Sequence, residues 1–229
     1  MKAVICACRT IEDELNFVLQ ENKIDFPVIY MEAGLHDDPE KLKSVLQNTI
    51  DRIENIDYIL LGYALCGNGL IGLSSKKAAL VLPQYHDCVA MFLGSDERYR
   101  ANLGTEMAAL FITGGSMRHF NPKYTFYEKM IPRLGEKKAL RYSQLVFQNY
   151  KRFALVETGA FSAEPLFQEM KDQAEFFNLE THRMKGTVDI FRKLVLGQWD
   201  EHFQIVPPGQ KIQIWNLSSN IDNKIMPGL

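Results

Sequence analysis

Neither sign of charge is in excess: 26 Lys and Arg stand against 28 Asp and Glu, a net of −2 with histidine neutral. A chain so balanced lacks the electrostatic footprint of a nucleic-acid binder or of a protein held on acidic membranes. Cysteine is scarce, at four in 229 residues, too few for a disulfide scaffold. The start, MKAVICACRT, has no basic region, long apolar run or cleavage site of a signal peptide. The longest apolar stretch, 59–73, is broken by Gly62, Cys66, Gly67, Asn68 and Gly69, and it falls short of the roughly 18 residues of a membrane span. No Ser-His-Asp, HExxH or P-loop pattern is present, and no fixed repeat or low-complexity tract. These absences point to a cytoplasmic protein with free thiols, partnered by neither nucleic acid nor membrane. Its function has to come from local sites.

What is present is an alternation of strand and helix. Residues 2–7 form a short apolar run, and Thr10-Ile11-Glu12-Asp13 then opens a helix in which Thr10 is expected to cap the amides. A second strand at 26–31 leads to Gly34-Leu35-His36 and to Asp38-Pro39, an N-cap with proline in the first helical turn. Strands follow at 57–63, 78–82 and 107–113. After a proline-bearing and partly helical stretch, further strands read at 152–157, 180–185 and 203–206, with helices at 162–177 and 188–196. The expectation is an α/β, Rossmann-like, three-layer fold built on a parallel sheet. Residues 1–120 make one lobe, and 121–229 make a helical connection plus a second lobe or C-terminal layer and tail, with a cleft between them. Ile212, Ile214 and Trp215 are too apolar to leave in water, so the tail is expected to pack on the body.

The cysteines are distributed unevenly over this pattern. Cys6 falls inside the first strand and suits the small buried hydrophobe that free cysteine commonly is. Cys8, Cys66 and Cys88 follow the first, third and fourth strands, among polar or glycine-rich neighbours. In an open parallel sheet those strand ends share one edge, where ligands bind at the reversal of strand order. Three soft thiolates suit zinc or an iron–sulfur cluster rather than magnesium or calcium. His36 and His86 fall near the same edge, each a candidate fourth ligand or acid/base group. Helix N-termini beside Cys8 and Cys88 are expected to favour the thiolate form. No two cysteines form a CxxC pair, so the expectation rests on strand order.

A second motif overlaps the first. Gly67-Asn68-Gly69-Leu70-Ile71-Gly72 fits the dinucleotide pattern G-x-G-x-x-G, and Asp87 follows where a ribose-binding acid would stand. Against it, the glycines follow the third strand, and few residues separate them from the fourth. The alternative role for Gly67 and Gly69 is to let main-chain amides approach a bound group. Arg9, Arg118 and the Gly114-Gly115-Ser116 turn are weaker substrate contacts. Glu157-Thr158-Gly159 is a candidate to face the site across the cleft, and Glu14 is expected to be exposed.

Several of these segments occur together in a known family. Cys8 with the helix carrying Glu14, Gly34-Leu35-His36 with Pro39, the Gly62 to Gly69 stretch around Cys66, and Pro83 with His86-Asp87-Cys88 resemble the domain-of-unknown-function family numbered 1638. Gly186, Gly197, Trp199 and Val206-Pro207-Pro208-Gly209 extend the resemblance to the C-terminal part, while Gly114-Gly115 departs from the Pro-Gly of the pattern. The resemblance implies no established reaction. It implies an association with corrinoid-dependent methyl transfer, and therefore corrinoid methyltransferase components as partners beside a small-molecule substrate. The cysteine placement is also similar to that in quinolinate synthase and the 2-hydroxyacyl-CoA dehydratases, although shared architecture transfers no reaction. Three readings stand: a metal-centre protein acting on a small molecule, a metallochaperone or accessory protein, and a nucleotide binder using Gly67, Gly69 and Gly72.

Overall fold

The computed structural model describes residues 1–95 and 109–214. Strand β1 (Ala3–Cys8) is apolar throughout, as a strand covered on both faces must be. It pairs in parallel with β2 (Val28–Met31) on one side and β3 (Tyr58–Gly62) on the other. β4 (Ala79–Pro83) extends the sheet beyond β3, and β8 (Phe203–Val206) closes that edge antiparallel, giving the order β2-β1-β3-β4-β8. The chain therefore steps one way from β1 to β2 and the other way from β1 to β3. That reversal is the switch point of a doubly wound sheet.

Side chains alternate between the two faces. Ala3, Ile5, Ala7, Leu60 and Val81 face one core with helix α1 (Glu12–Glu21) and helix α3 (Cys88–Leu93). Val4, Cys6, Ile59, Leu61, Leu80 and Leu82 face a second core with helix α2 (Pro39–Ile50). Cys6 is fully buried there, as expected of it. Helix α2 starts as its sequence demands: the Asp38 carboxylate accepts from the Lys41 amide at 3.0 Å, with Pro39 in the first turn.

A separate parallel sheet contains β5 (Ala109–Ile112), β6 (Arg152–Glu157) and β7 (Glu180–Lys185). Thus β5 pairs with strands from beyond residue 120, while β8 returns from the C-terminal part to the first sheet. Phe153 and Leu155 of β6 face a third core with helix α4 (Gly114–His119) and its neighbours. Val156, on the opposite face, joins the core of α1 and α3. The second sheet is thereby packed onto the helical layer of the first sheet, in a Rossmann-like α/β arrangement. Gly114 and Gly115 mark this close approach: a Cβ at Gly115 would lie 2.4 Å from the Thr10 carbonyl oxygen.

Beyond β8, Ile212 is buried and exchanges main-chain hydrogen bonds with Gly72 and Leu73 at 2.8 and 2.9 Å. Ile214, expected to pack beside it, is 46% exposed. Trp215 and the first two residues of the strand expected at 107–113 lie outside the described residues.

Candidate functional site

β1 and β3 run in register, Cys6 opposite Leu61 and Ala7 opposite Gly62, so both chains leave the sheet at the same level. Cys8 is the last residue of β1, and Cys66 lies four residues beyond β3. Cys88 is the first residue of α3, reached from the end of β4. All three line one cavity of about 360 Å³ at the sheet's carboxyl edge, together with Thr10, Tyr63, Gly67, Asp87 and His36.

Each cysteine is held in its own way. The Thr10 hydroxyl donates to Cys8 Sγ at 3.1 Å. The expected N-cap role of Thr10 is therefore corrected: α1 has Ile11 at its N-cap and no side-chain cap, because a 3₁₀ turn at Arg9–Ile11 precedes it. Cys66 has φ +45°, followed by Gly67 at +63° and Asn68 at +71°. A non-glycine residue held left-handed costs on the order of 1 kcal/mol, and such strain concentrates at functional loops. Packing supplies the constraint: Gly69 lies so close to α2 that a Cβ would come within 2.8 Å of Leu42 Cδ2. Asp87 fixes Cys88 by capping α3, its carboxylate accepting from the Ala90 amide at 3.0 Å.

The expected lowering of thiol pKa beside helix N-termini is overturned at Cys88. Burial, then the charges of Cys66, Asp87 and Cys8, hold that thiol well above its ordinary value. Burial and the Cys8 charge likewise push Cys66 up to about 12. A bound cation would reverse both effects, since opposite charge favours the thiolate. Tyr63 is raised by burial first and then by the Cys8 and Cys66 charges; it is 3% exposed, and its hydroxyl has no hydrogen-bond partner among the described residues.

The three sulfurs are close enough to influence one another but not gathered as tightly as ligands of one ion. Among the described residues, three ligand atoms all within 4.8 Å of one another occur at Asp200, Glu201 and His202. Tetrahedral zinc with Zn–S bonds of about 2.3 Å would need sulfurs roughly 3.8 Å apart.

The two histidines differ. His36 sits on the 3₁₀ turn Leu35–Asp37, lines the cavity, and has a 52% exposed side chain 3.4 Å from Asp37. His86 is exposed and is not among the cavity's lining residues. The dinucleotide pattern also meets a different setting. Residues 66–72 are turns rather than a helix start, so Gly67, Gly69 and Gly72 present no helix N-terminus to a pyrophosphate. Asp87, the expected ribose ligand, is engaged as the α3 cap.

Residues 30–195 match the family described as Protein of unknown function (DUF1638). The chain belongs to this family. No curated protein and no solved structure matches it. The DUF1638 match contains His36, Tyr63, Cys66, Asp87 and Cys88, and it begins after Cys8 and Glu14.

Glu14 needs correction, because it is fully buried rather than exposed. Its Oε1 accepts a 2.7 Å hydrogen bond from Thr158, across the contact between the two sheets' layers, and its Oε2 has no partner among the described residues. Burial raises it to about 7 against the lowering effect of Thr158. Arg118, a weak substrate candidate, is committed to Asp13 at 2.5 Å, and Glu157 to Arg183 at 3.2 Å. Sequence reading passed over Tyr63 as one more residue of an apolar strand. Its polar end beside Cys66 was the available signal.

Proposed function

We propose that this DUF1638 protein binds a metal centre through Cys8, Cys66 and Cys88 and presents it to a small molecule. The observation that carries the reading is the meeting of three thiols in one cavity at the sheet's switch point. Among the described residues the three sulfurs do not all lie within 4.8 Å of one another, which counts against a single zinc ion and leaves an iron–sulfur cluster, which spans more than one ion does, as the reading carried forward. Such a centre would supply Lewis-acid or electron-transfer chemistry. The chain's own residues have separate duties: Thr10 steadies the Cys8 sulfur, the strained 66–68 turn aims Cys66, and Asp87 holds Cys88 at the start of α3. Tyr63 is the buried hydroxyl available to donate to a ligand in the cavity, and His36 the titratable group at its wall.

The thiols are unpaired with one another, which agrees with a reducing cytoplasmic setting, and no described helix is long and apolar enough to cross a membrane. A metallochaperone or accessory role toward a corrinoid methyltransferase would use the same cysteines in a closed shell. The open volume beside them supports a reactive centre instead. The test is purification without oxygen, followed by iron, zinc and sulfide analysis and an absorption spectrum of wild type and Cys66→Ala. Stoichiometric iron with sulfide, lost in Cys66→Ala, is expected. Wild-type protein without stoichiometric iron or zinc contradicts the proposal.

A further inference from the structure

A second cavity, of about 280 Å³, adjoins the first and shares Thr10, His36, Cys88 and Val89 with it. Its other wall is strongly apolar, built from Phe92 on α3, Leu110 and Phe111 on β5, Phe120 just after α4, and Phe126 on helix α5 (Pro122–Phe126). Elements of both sheets' layers contribute to it. The polar groups in this wall already serve each other. Thr113 Oγ1 accepts from the Ser116 amide at 3.3 Å, while Ser116 Oγ accepts from the Thr113 amide at 2.7 Å and donates to its carbonyl at 3.0 Å.

Charge is correspondingly sparse. Besides Cys88, the ionisable groups among the described lining residues are His36 and Asp37, which face each other at 3.4 Å with more than half of each side chain exposed. Nothing among them offers a carboxylate, a phosphate or an ammonium group an enclosed countercharge. Burying an unpaired charge is costly, whereas an apolar body loses water to an aromatic wall favourably.

We infer that this cavity receives the body of the substrate, a neutral, apolar or aromatic small molecule, with its reacting end at the shared Cys88 and His36 wall. The inference rests on the cysteine cavity being the reacting site, and it adds a substrate class to that reading. Among the described lining residues, nothing would hold a nucleotide, an acyl phosphate or another strongly anionic compound.

The test uses three probes of one shape, benzyl alcohol, benzoate and benzylamine, titrated into the anaerobically purified protein by calorimetry, with iron and zinc measured on the same sample. Benzyl alcohol is expected to saturate and to bind at least about tenfold more tightly than either charged probe. Ala33→Phe, which fills the cavity from its rim, should weaken benzyl alcohol by about tenfold or more with unchanged metal content. Phe120→Lys should exchange the preference toward benzoate, a gain that misfolding cannot produce. Equal or tighter binding of a charged probe, no saturable binding of benzyl alcohol, or an unchanged affinity in folded Ala33→Phe would overturn the substrate class. Selective benzyl alcohol binding by metal-free protein would overturn the metal reading and leave the substrate class standing.

Discussion

Both sheets are parallel where the candidate site forms, yet they are clothed differently. β1, β3 and β4 are apolar along both faces and sandwiched between two cores. β7, with the sequence ETHRMK, keeps exposed residues along its length at the outer edge of the smaller sheet. The fully covered sheet is a rigid frame, and two of the three site cysteines leave from the ends of its adjacent strands. The smaller sheet contributes no cysteine. Its β5 adds Leu110 and Phe111 to the apolar wall of the second cavity, and the turn after β6 carries Thr158, which reaches Glu14. Scaffold and wall are thus separable by mutation.

The largest effect should come from the frame. Leu60→Ala removes a fully buried side chain and is expected to cost about 4 kcal/mol in denaturant unfolding, against about 1 kcal/mol for the partly buried Met184→Ala on β7. Equal costs would break the distinction between the sheets.

The contact between the two sheets' layers should depend on pH. The unfolded chain releases the Glu14 proton near 4.5, whereas the folded protein holds it to about 7 because burial outweighs the Thr158 hydrogen bond. More protons are then bound in the folded state across that window, so stability falls as pH rises through it. The decline amounts to about 3 kcal/mol. Glu14→Gln should abolish it, leaving stability near wild type at pH 4 and higher than wild type at pH 8, as melting curves across pH would reveal. A parallel decline in both proteins would remove Glu14 as its source.

Smaller effects probe the edges of the comparison. Gly115→Ala forces a methyl group against the Thr10 carbonyl and should cost about 2 kcal/mol, with proteolysis at the contact between the two sheets' layers accelerated. Thr10→Val removes the donor to Cys8 Sγ. Losing one hydrogen bond should lower stability by about 1 kcal/mol in denaturant unfolding. An unchanged or raised unfolding midpoint would contradict the role given to Thr10.

Much of the framework was legible because it is local. The expected strands at 152–157, 180–185 and 203–206 coincide with β6, β7 and β8, and the helix at 188–196 differs from Asp189–Leu196 by one residue. The gathering of Cys8, Cys66 and Cys88 at one cavity follows from parallel strand order, which alternation reveals. Long-range pairing was not legible. The division of the strands into two sheets, and the burial of Glu14 by Thr158 far along the chain, depend on contacts that no periodicity encodes. The left-handed turn at Cys66 was hidden because αL geometry is ordinarily announced by glycine, asparagine or aspartate. His86 looked equivalent to His36 by its distance from a strand end, but spacing says nothing about which way a side chain turns.

The central claim is that three of the four cysteines act as one set. Metal content per chain, measured on Cys6→Ala, Cys8→Ala, Cys66→Ala and Cys88→Ala proteins purified without oxygen, addresses it most directly. Cys6→Ala is expected to keep the wild-type content, because Cys6 belongs to the core of the α2 face, while each of the other three loses the centre. Full metal occupancy in any of those three, or a loss confined to Cys6→Ala, would contradict a shared site.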